Sequence, residues 1–301
     1  MTSPNPLFSI IVVTYNSSEY LLETLESAKA QIYRNIELII TDDGSRDNTV
    51  DICRDWLKDN EERFVRTELI TVEKNTGIAP NCNRGFRAAR GEWAKSIAGD
   101  DILTPECIST FLDYIKKHPD ISFFFSDIEI FGTGEYSEKR EGVKRWISQA
   151  LECYSEGSDL KVQAEKLKYR NLVSAPSAIH QVKAFKKLSG FDEEIKLLED
   201  HPFWLNATKN GYKIMSINEQ LVRYRVNEYS VQTSPAFKMA KELFLQKYIF
   251  KNILFPMIIK SINQLKIEPK DRFLCNLLML TSLPQRFVYK IKKKLQKWHI
   301  S

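Results

Sequence analysis

Three pairs of adjacent acids in this chain of 301 residues have the type and spacing to do chemistry: Asp42-Asp43, Asp100-Asp101 and Glu199-Asp200. Two carboxylates side by side on one short loop repel each other. A bound divalent cation is the usual compensation, and hard oxygen ligands select Mg2+ or Mn2+. Each pair also has a structural reading. Asp42-Asp43-Gly44-Ser45 has the composition of a turn in which aspartate accepts local hydrogen bonds, and Glu199-Asp200 can open a helix as its cap. Asp100-Asp101 is harder to explain without a ligand.

The elements that must position these pairs are legible as alternating apolar runs and amphipathic stretches. Leu7 to Thr14 and Ile36 to Thr41 are continuous β-branched and apolar runs, Glu68 to Val72 and Trp93 to Ala98 are strand-like, and helical spacing separates them at Leu21-Leu22-Leu25-Ala28, at Val50-Cys53-Trp56-Leu57 and around Asn81 to Ala89. Strands without polar alternation, separated by helices, predict a doubly wound, mostly parallel α/β sheet covered on both faces. Ligands of such sheets sit just beyond the carboxyl ends of the strands, where the Asp42 and Asp100 pairs fall. Thr104-Pro105-Glu106 is expected to open the next helix with a cap, a first-turn proline and an acid, before a strand over Ile121 to Ile130. Gly132 to Asp159 loses periodicity and reads as a mobile insertion near a site. Further on, the spacing predicts a short helix ending at Ser189-Gly190, a helix from about Glu199 to Asn210 stopped by Gly211, strands near Lys213 to Ile217 and Leu221 to Val226, and helices beyond Pro235. This divides the chain into a catalytic domain over residues 1–234 and a helical C-terminal extension over 235–301.

Composition bounds the rest. Lys and Arg number 44 against 39 Asp and Glu, 43% of residues are hydrophobic and 28% charged, which is ordinary for a globular chain and excludes disordered and collagen-like classes. Cys53, Cys82, Cys107, Cys153 and Cys275 lie 25 or more residues apart, so neither a structural zinc site nor a disulfide framework is expected. The polar start and the lack of a long uninterrupted apolar segment predict a cytoplasmic protein without a transmembrane helix. Residues 284–301 carry six basic side chains and no acid. On a helical wheel Phe287, Val288, Ile291, Leu295 and Trp298 share one arc beside Arg286, Lys290, Lys293, Lys294 and Lys297, so this tail is either an interfacial helix on anionic lipid, at the inner face of the cell membrane, or a terminal helix docked on the core. Nucleic acid is not expected as a partner, because the remaining chain is slightly acidic and has no basic stripe.

Taken together, the motifs resemble the inverting glycosyltransferases of family 2 with the GT-A fold. The resemblance rests on Ser9 to Asn16, on Ile40 to Ser45 with Asp47 and Thr49, on Asn75-Thr76-Gly77 and Asn83, on Gly91-Glu92, on Asp100-Asp101, on Leu198-Glu199-Asp200 with Phe203-Trp204, and on Tyr224-Arg225 with Ser230. It covers roughly residues 8–234 and implies a role for each matching position. Val13, Thr14 and Tyr15 would border the nucleotide base, Asp43 would accept a hydrogen bond from a uracil-type N–H, and Asn75 would contact the donor. Asp100 would reach the ribose, Asp101 would hold Mn2+ or Mg2+, and Asp200 would be the general base that deprotonates an acceptor hydroxyl. The implied activity is transfer of one sugar from a nucleotide-sugar donor, a UDP-sugar, to a glycan or lipid-linked acceptor in bacterial surface polysaccharide (O-antigen or capsule) biosynthesis.

Two departures stand out. The motif Asp100-Asp101-Ile102-Leu103 lacks a third-position acid, and Pro80 stands where many relatives carry a more flexible residue. No Gln-x-x-Arg-Trp motif is present, so non-processive transfer is expected. A sugar-nucleotide pyrophosphorylase would need a Gly-rich loop where Thr14-Tyr15-Asn16-Ser17 stands. The other alternative is a non-catalytic, membrane-associated module that binds sugar nucleotides.

Overall fold

The long apolar runs form the centre of the sheet: Phe8–Thr14 is β1, Ile36–Asp42 β2, Arg66–Thr71 β3 and Trp93–Ala98 β4. The computed structural model describes residues 5–132, 137–195, 197–226, 241–245 and 247–248. β2 is buried at every position and β1 at all but Val13, as strands covered on both faces must be. Helices α1 (Leu21–Lys29), α2 (Thr49–Asn60) and α3 (Ile78–Ala88) connect them, and β1 to β4 pair in parallel. A two-residue β5 (Ile102–Leu103) and α4 (Cys107–Lys117) follow, then β6 (Phe123–Phe131), α5 (Ser137–Cys153), α6 (Leu160–Leu167), β7 (Ala178–Gln181), α7 (Val182–Lys187), α8 (Asp200–Lys209) and β8 (Ile214–Arg225). The order across the sheet is β3-β2-β1-β4-β7-β6-β8-β5. β7 is antiparallel to both neighbours and β5 to β8, while β6 and β8 are parallel. The expected doubly wound α/β class holds, with antiparallel insertions toward one edge.

Alternate residues of β1 feed two cores, because side chains of a strand point to opposite faces. Phe8, Ile10 and Val12 pack with Leu25, Trp56 and Phe111 on one face; Ile11 packs with Phe86, Phe185 and Trp204 on the other. On that second face α3 approaches β1 so closely that a Cβ at Gly85 would lie 2.3 Å from Ile11 Cγ2.

β5 and α6 have no counterpart in the sequence reading, and four further elements differ from it. The stretch read as a mobile insertion contains α5, whose Ile147, Ala150 and Cys153 are buried at helical spacing, with buried Tyr154 just past its end. The apolar stripe occupies only the second half of that helix, and the charged first half hides it. β7 has four residues, Ala178 to Gln181, too few for a periodic signal. α4 starts at Cys107, after the Thr104-Pro105-Glu106 segment that was expected to form its first turn; the Thr104 carbonyl instead closes a turn by accepting the Cys107 N–H at 3.0 Å. The two strands expected after residue 213 are one, β8, which shifts register against β6 near Asp127.

At the amino end of the sheet Glu37 is fully buried. It accepts hydrogen bonds from the Ser9 hydroxyl at 2.6 Å, from Arg66 at 2.7 Å, and from the backbone of Arg90 and Gly91 at 2.6 and 2.9 Å. Burial alone would push this carboxyl up, but the bonds from Ser9, Arg90, Arg66 and Gly91 outweigh it and hold Glu37 below the ordinary range. Breaking a buried ion pair leaves an uncompensated charge. Glu37→Gln should therefore cost about 3 kcal/mol of unfolding free energy at neutral pH, read by urea denaturation. A depressed carboxylate stabilises above its unfolded pKa, so the difference from the parent should close as the pH falls into the carboxylate range; a constant difference would contradict the assignment.

Chain contacts divide the protein into two units, Met1–Ala240 and Lys241–Ser301, and all that follows concerns the first. Apart from residues 241–245 and 247–248, the helices expected beyond Pro235, Cys275 and the basic tail lie outside the described residues. Among the described residues, no helix is long and apolar enough to cross a membrane, and Cys53, Cys82, Cys107 and Cys153 are free thiols.

Candidate active site

The loops that leave β1 and β2 are stitched together by side chains. Asn16, in a left-handed conformation at φ 50°, donates its N–H to the Ser45 hydroxyl and accepts the Arg46 N–H on its side chain. Ser17 N–H donates to the Thr49 hydroxyl and Ser18 N–H to Asp47. Asp42 is the turn aspartate: it accepts the Gly44 and Ser45 N–H groups at 3.1 and 2.9 Å and the Thr14 hydroxyl at 2.9 Å. Gly44 is needed there, since its φ is +77° and a Cβ would press on the Lys74 backbone.

Asp43 faces the other way and is 2% exposed. Its Oδ2 accepts the Thr76 and Gly77 N–H groups at 2.9 and 2.7 Å; its Oδ1 accepts the Thr76 hydroxyl and the Arg84 guanidinium, both at 2.6 Å. A carboxylate has about four acceptor positions. All are engaged internally, so an incoming base N–H can bond to Asp43 only in exchange for one of these donors. Arg84, one residue past the Asn83 singled out in the sequence, is the partner that sequence reading missed. Asn75 is exposed on the loop before α3. Asn83 holds the chain near Phe191, bonding both its N–H and its carbonyl at 2.9 Å, which is a structural duty. Pro80 falls in the first turn of α3, where its missing N–H costs nothing.

Asp100 and Asp101 follow β4, which pairs with β1 as far as Val13 and Ala98, so the Asp43 and Asp100 stations share one edge of the sheet. Asp101 is 1% exposed and Asp100 is partly open. The Asp101 Oδ1 accepts the backbone N–H of Arg225 at 2.9 Å. Both carboxyls are raised by burial, Asp101 strongly and also by the charge of Asp100, which is the condition a cation relieves. Asp101, expected to hold the metal, is the more buried of the two carboxylates, and Asp100 the more open. No group of three or more His, Cys, Asp or Glu side chains that could hold a metal occurs among the described residues. A pair of hard oxygen donors without further protein ligands fits Mg2+ or Mn2+, which commonly take one or two carboxylates and complete their shell with phosphate and water. Beneath this loop lies Lys95, fully buried, donating to the Pro176 carbonyl at 2.6 Å and pushed down to about 8 by burial.

Glu199-Asp200 does more than cap α8, because the Glu199 side chain makes no capping bond. Asp200 accepts the Asn171 side-chain amide at 2.6 Å and the His201 N–H at 2.7 Å, and remains partly open. Burial raises its pKa, although His201 and Asn171 work against the rise; Glu199 is pushed up to about 8 by burial and by the charge of Asp200. Burial pushes the Cys82 thiol on α3 well up, and the charges of Glu199 and Asp43 add to the rise. His201 bonds the Leu167 carbonyl at 2.7 Å. His180 sits among Phe86, Phe123, Phe185 and Trp204 and is pushed down to about 3 by burial and by Lys95. Val13 and Thr14 end β1 beside these loops, and Tyr15 is 44% exposed there.

The carboxyl edge of the sheet thus carries the Asp42-Asp43 and Asp100-Asp101 pairs, and Glu199-Asp200 stands at the start of α8. Residues 9–171 match Glycosyl transferase family 2, and the chain belongs to that family and is an enzyme of the glycosyltransferase class. It is 27% identical over 255 residues to the uncharacterized glycosyltransferase EpsJ of Bacillus subtilis, covering 83% of this chain and 70% of EpsJ. Among solved structures, S. aureus TarS 1-349 in complex with UDP aligns with a TM-score of 0.56 at 21% identity, over 78% of this chain and 63% of that one, so the chain spans a little under two thirds of that structure. The mannosyltransferase PcManGT from Pyrobaculum calidifontis, in complex with GDP-Man and Mn2+, aligns with a TM-score of 0.60 at 17% identity, over 89% of this chain and 68% of that one. At these identities the structural likeness concerns the fold.

Proposed function

We propose that the protein transfers one sugar, with inversion and without processivity, from a UDP-sugar to a hydroxyl of a glycan or lipid-linked acceptor in surface polysaccharide assembly. The observation that carries this reading is Asp200: a partly open carboxylate, oriented by Asn171 and the His201 N–H, its pKa raised toward that of a useful base. Asp200 takes the proton of the acceptor hydroxyl as that oxygen attacks the anomeric carbon from the face opposite the departing nucleoside diphosphate. No covalent intermediate with the enzyme is needed. Val13, Thr14 and Tyr15 border the base, Asn75 contacts the donor, and Asp43 accepts the uracil N–H once Arg84 or the Thr76 hydroxyl releases it.

The Asp100-Asp101 pair would hold Mg2+ or Mn2+. The partly open Asp100 is the direct ligand in this proposal, in place of the ribose contact expected of it, and Asp101 holds the loop to the Arg225 backbone behind it. When bound, the cation supplies Lewis-acid stabilisation of the leaving diphosphate. Support for a nucleotide-sugar donor comes from the fold, since TarS and PcManGT are described with UDP and with GDP-Man. The domain boundary near residue 234 and membrane attachment through the tail belong to the same proposal.

A thermal-shift panel of UDP-, GDP- and dTDP-sugars with Mn2+ tests the donor assignment, because a ligand that binds the native state raises the melting temperature by mass action. A UDP-sugar should give the largest rise, and a flat panel would refute the reading. The pH profile tests the base. Asp200 must be ionised to act, and its pKa is raised, so kcat should fall as the pH drops through a value above the ordinary carboxylate range. An acid limb at or below that range would count against Asp200.

A further inference from the structure

Arg225, the last residue of β8, bonds the acidic loop twice and α1 once. Its backbone N–H donates to Asp101 Oδ1 at 2.9 Å, its Nε to the Asp100 carbonyl at 2.8 Å, and its Nη2 to Glu23 on α1 at 2.8 Å. The guanidinium carbon lies 4.0 Å from the centre of the Tyr20 ring and 4.4 Å from that of Phe131. Its side chain is 10% exposed. Two of the five guanidinium donors are engaged in this way, on the loop and on α1.

The loop it grips needs bracing. Asp100 and Asp101 repel each other, and the chain turns directly from β4 through Gly99 into the short β5, whose Ile102 and Leu103 pair with Arg223 and Val222 of β8, while Thr24 and Ser27 of α1 bond the Asp101 carbonyl and the Leu103 N–H at 2.8 and 3.1 Å. A planar fork fixed between two aromatic faces sets both the place and the tilt of the group it bonds, which a lysine ammonium cannot do. We infer that Arg225 is a positioning residue for cation capture: it holds the Asp100-Asp101 loop, before any ligand arrives, in the arrangement that takes a divalent cation together with a nucleoside diphosphate. The inference rests on the proposed metal role of the Asp100-Asp101 pair. It adds that the affinity for the cation is set largely by a side chain that never touches it, and that α1, through Glu23 and Tyr20, is part of the same brace.

Calorimetric titration of UDP in Mn2+ and in EDTA tests it on the parent, Arg225→Met, Arg225→Lys and Glu23→Gln. In the parent Mn2+ should tighten UDP binding; if it does not, the metal reading itself fails and the brace fails with it. Given that gain in the parent, Arg225→Met should shrink it at least about tenfold while changing the affinity in EDTA less than twofold. Arg225→Lys should recover only part, because it keeps the charge and loses the fork. Glu23→Gln, at an exposed acid, should shrink the gain two- to threefold and keeps the test open if Arg225→Met does not fold. An undiminished Mn2+ gain in Arg225→Met, or equal weakening with and without Mn2+, would overturn the inference.

Discussion

Asp200→Asn is expected to lower kcat about a thousandfold while leaving the affinity for UDP within twofold of the parent. The substitution keeps the shape and the acceptor oxygen that meets Asn171 or the His201 N–H, and removes only the capacity to take a proton. An effect confined to kcat is the mark of an interaction made in the transition state. Asn171→Ala should give a smaller loss of the same kind, because it frees the carboxylate to rotate. Product stereochemistry belongs to the same experiment: a single displacement assisted by Asp200 inverts the anomeric centre, and NMR of the first product formed should show the opposite anomer from the donor. Retention, or full activity in Asp200→Asn, would remove Asp200 as the base.

The second large effect is expected at the acidic loop. Asp100→Asn should reduce kcat/KM by about 100-fold in saturating Mn2+, equivalent to roughly 2.7 kcal/mol of transition-state stabilisation, and most of the stimulation by Mn2+ should disappear. Asp101→Asn separates the two neighbours. An asparagine oxygen at that position can still accept the Arg225 N–H, so the fold and much of the metal response should survive. If instead Asp101→Asn abolishes the response and Asp100→Asn spares it, the ligand is the buried acid and the division of roles proposed here is reversed.

That division could not be read from the sequence. Adjacent residues after a strand point in different directions, and Asp100 and Asp101 look alike until burial and the Arg225 bond distinguish them. What could be read was the frame. β1 and β2 are largely apolar without alternation because helices cover both faces, and the carboxyl ends of β2 and β4 announce where the acids collect. Asp42 and Asp43 show the boundary of such reading: the turn explanation is correct for Asp42, whereas Asp43 is bound up with Thr76, Gly77 and Arg84 from a distant stretch. Asn171 was invisible as part of the site for the same reason, since it acts on an acid 29 positions away; Tyr224-Arg225 stood among the resembling motifs, but the bond from Arg225 to Asp101, 124 positions away, did not. The helix α5 was hidden by its charged first half, and β7 by its brevity.

A crystal structure of the protein with UDP and Mn2+ tests the central claim most directly, because the claim is that three acidic stations serve one donor. The account predicts uracil against Asp43 with Arg84 or the Thr76 hydroxyl displaced, the cation on Asp100 between protein and diphosphate, and the β-phosphate on the side toward Asp200. UDP bound elsewhere, or bound with Asp200 remote from the phosphate and open only to solvent, would contradict it.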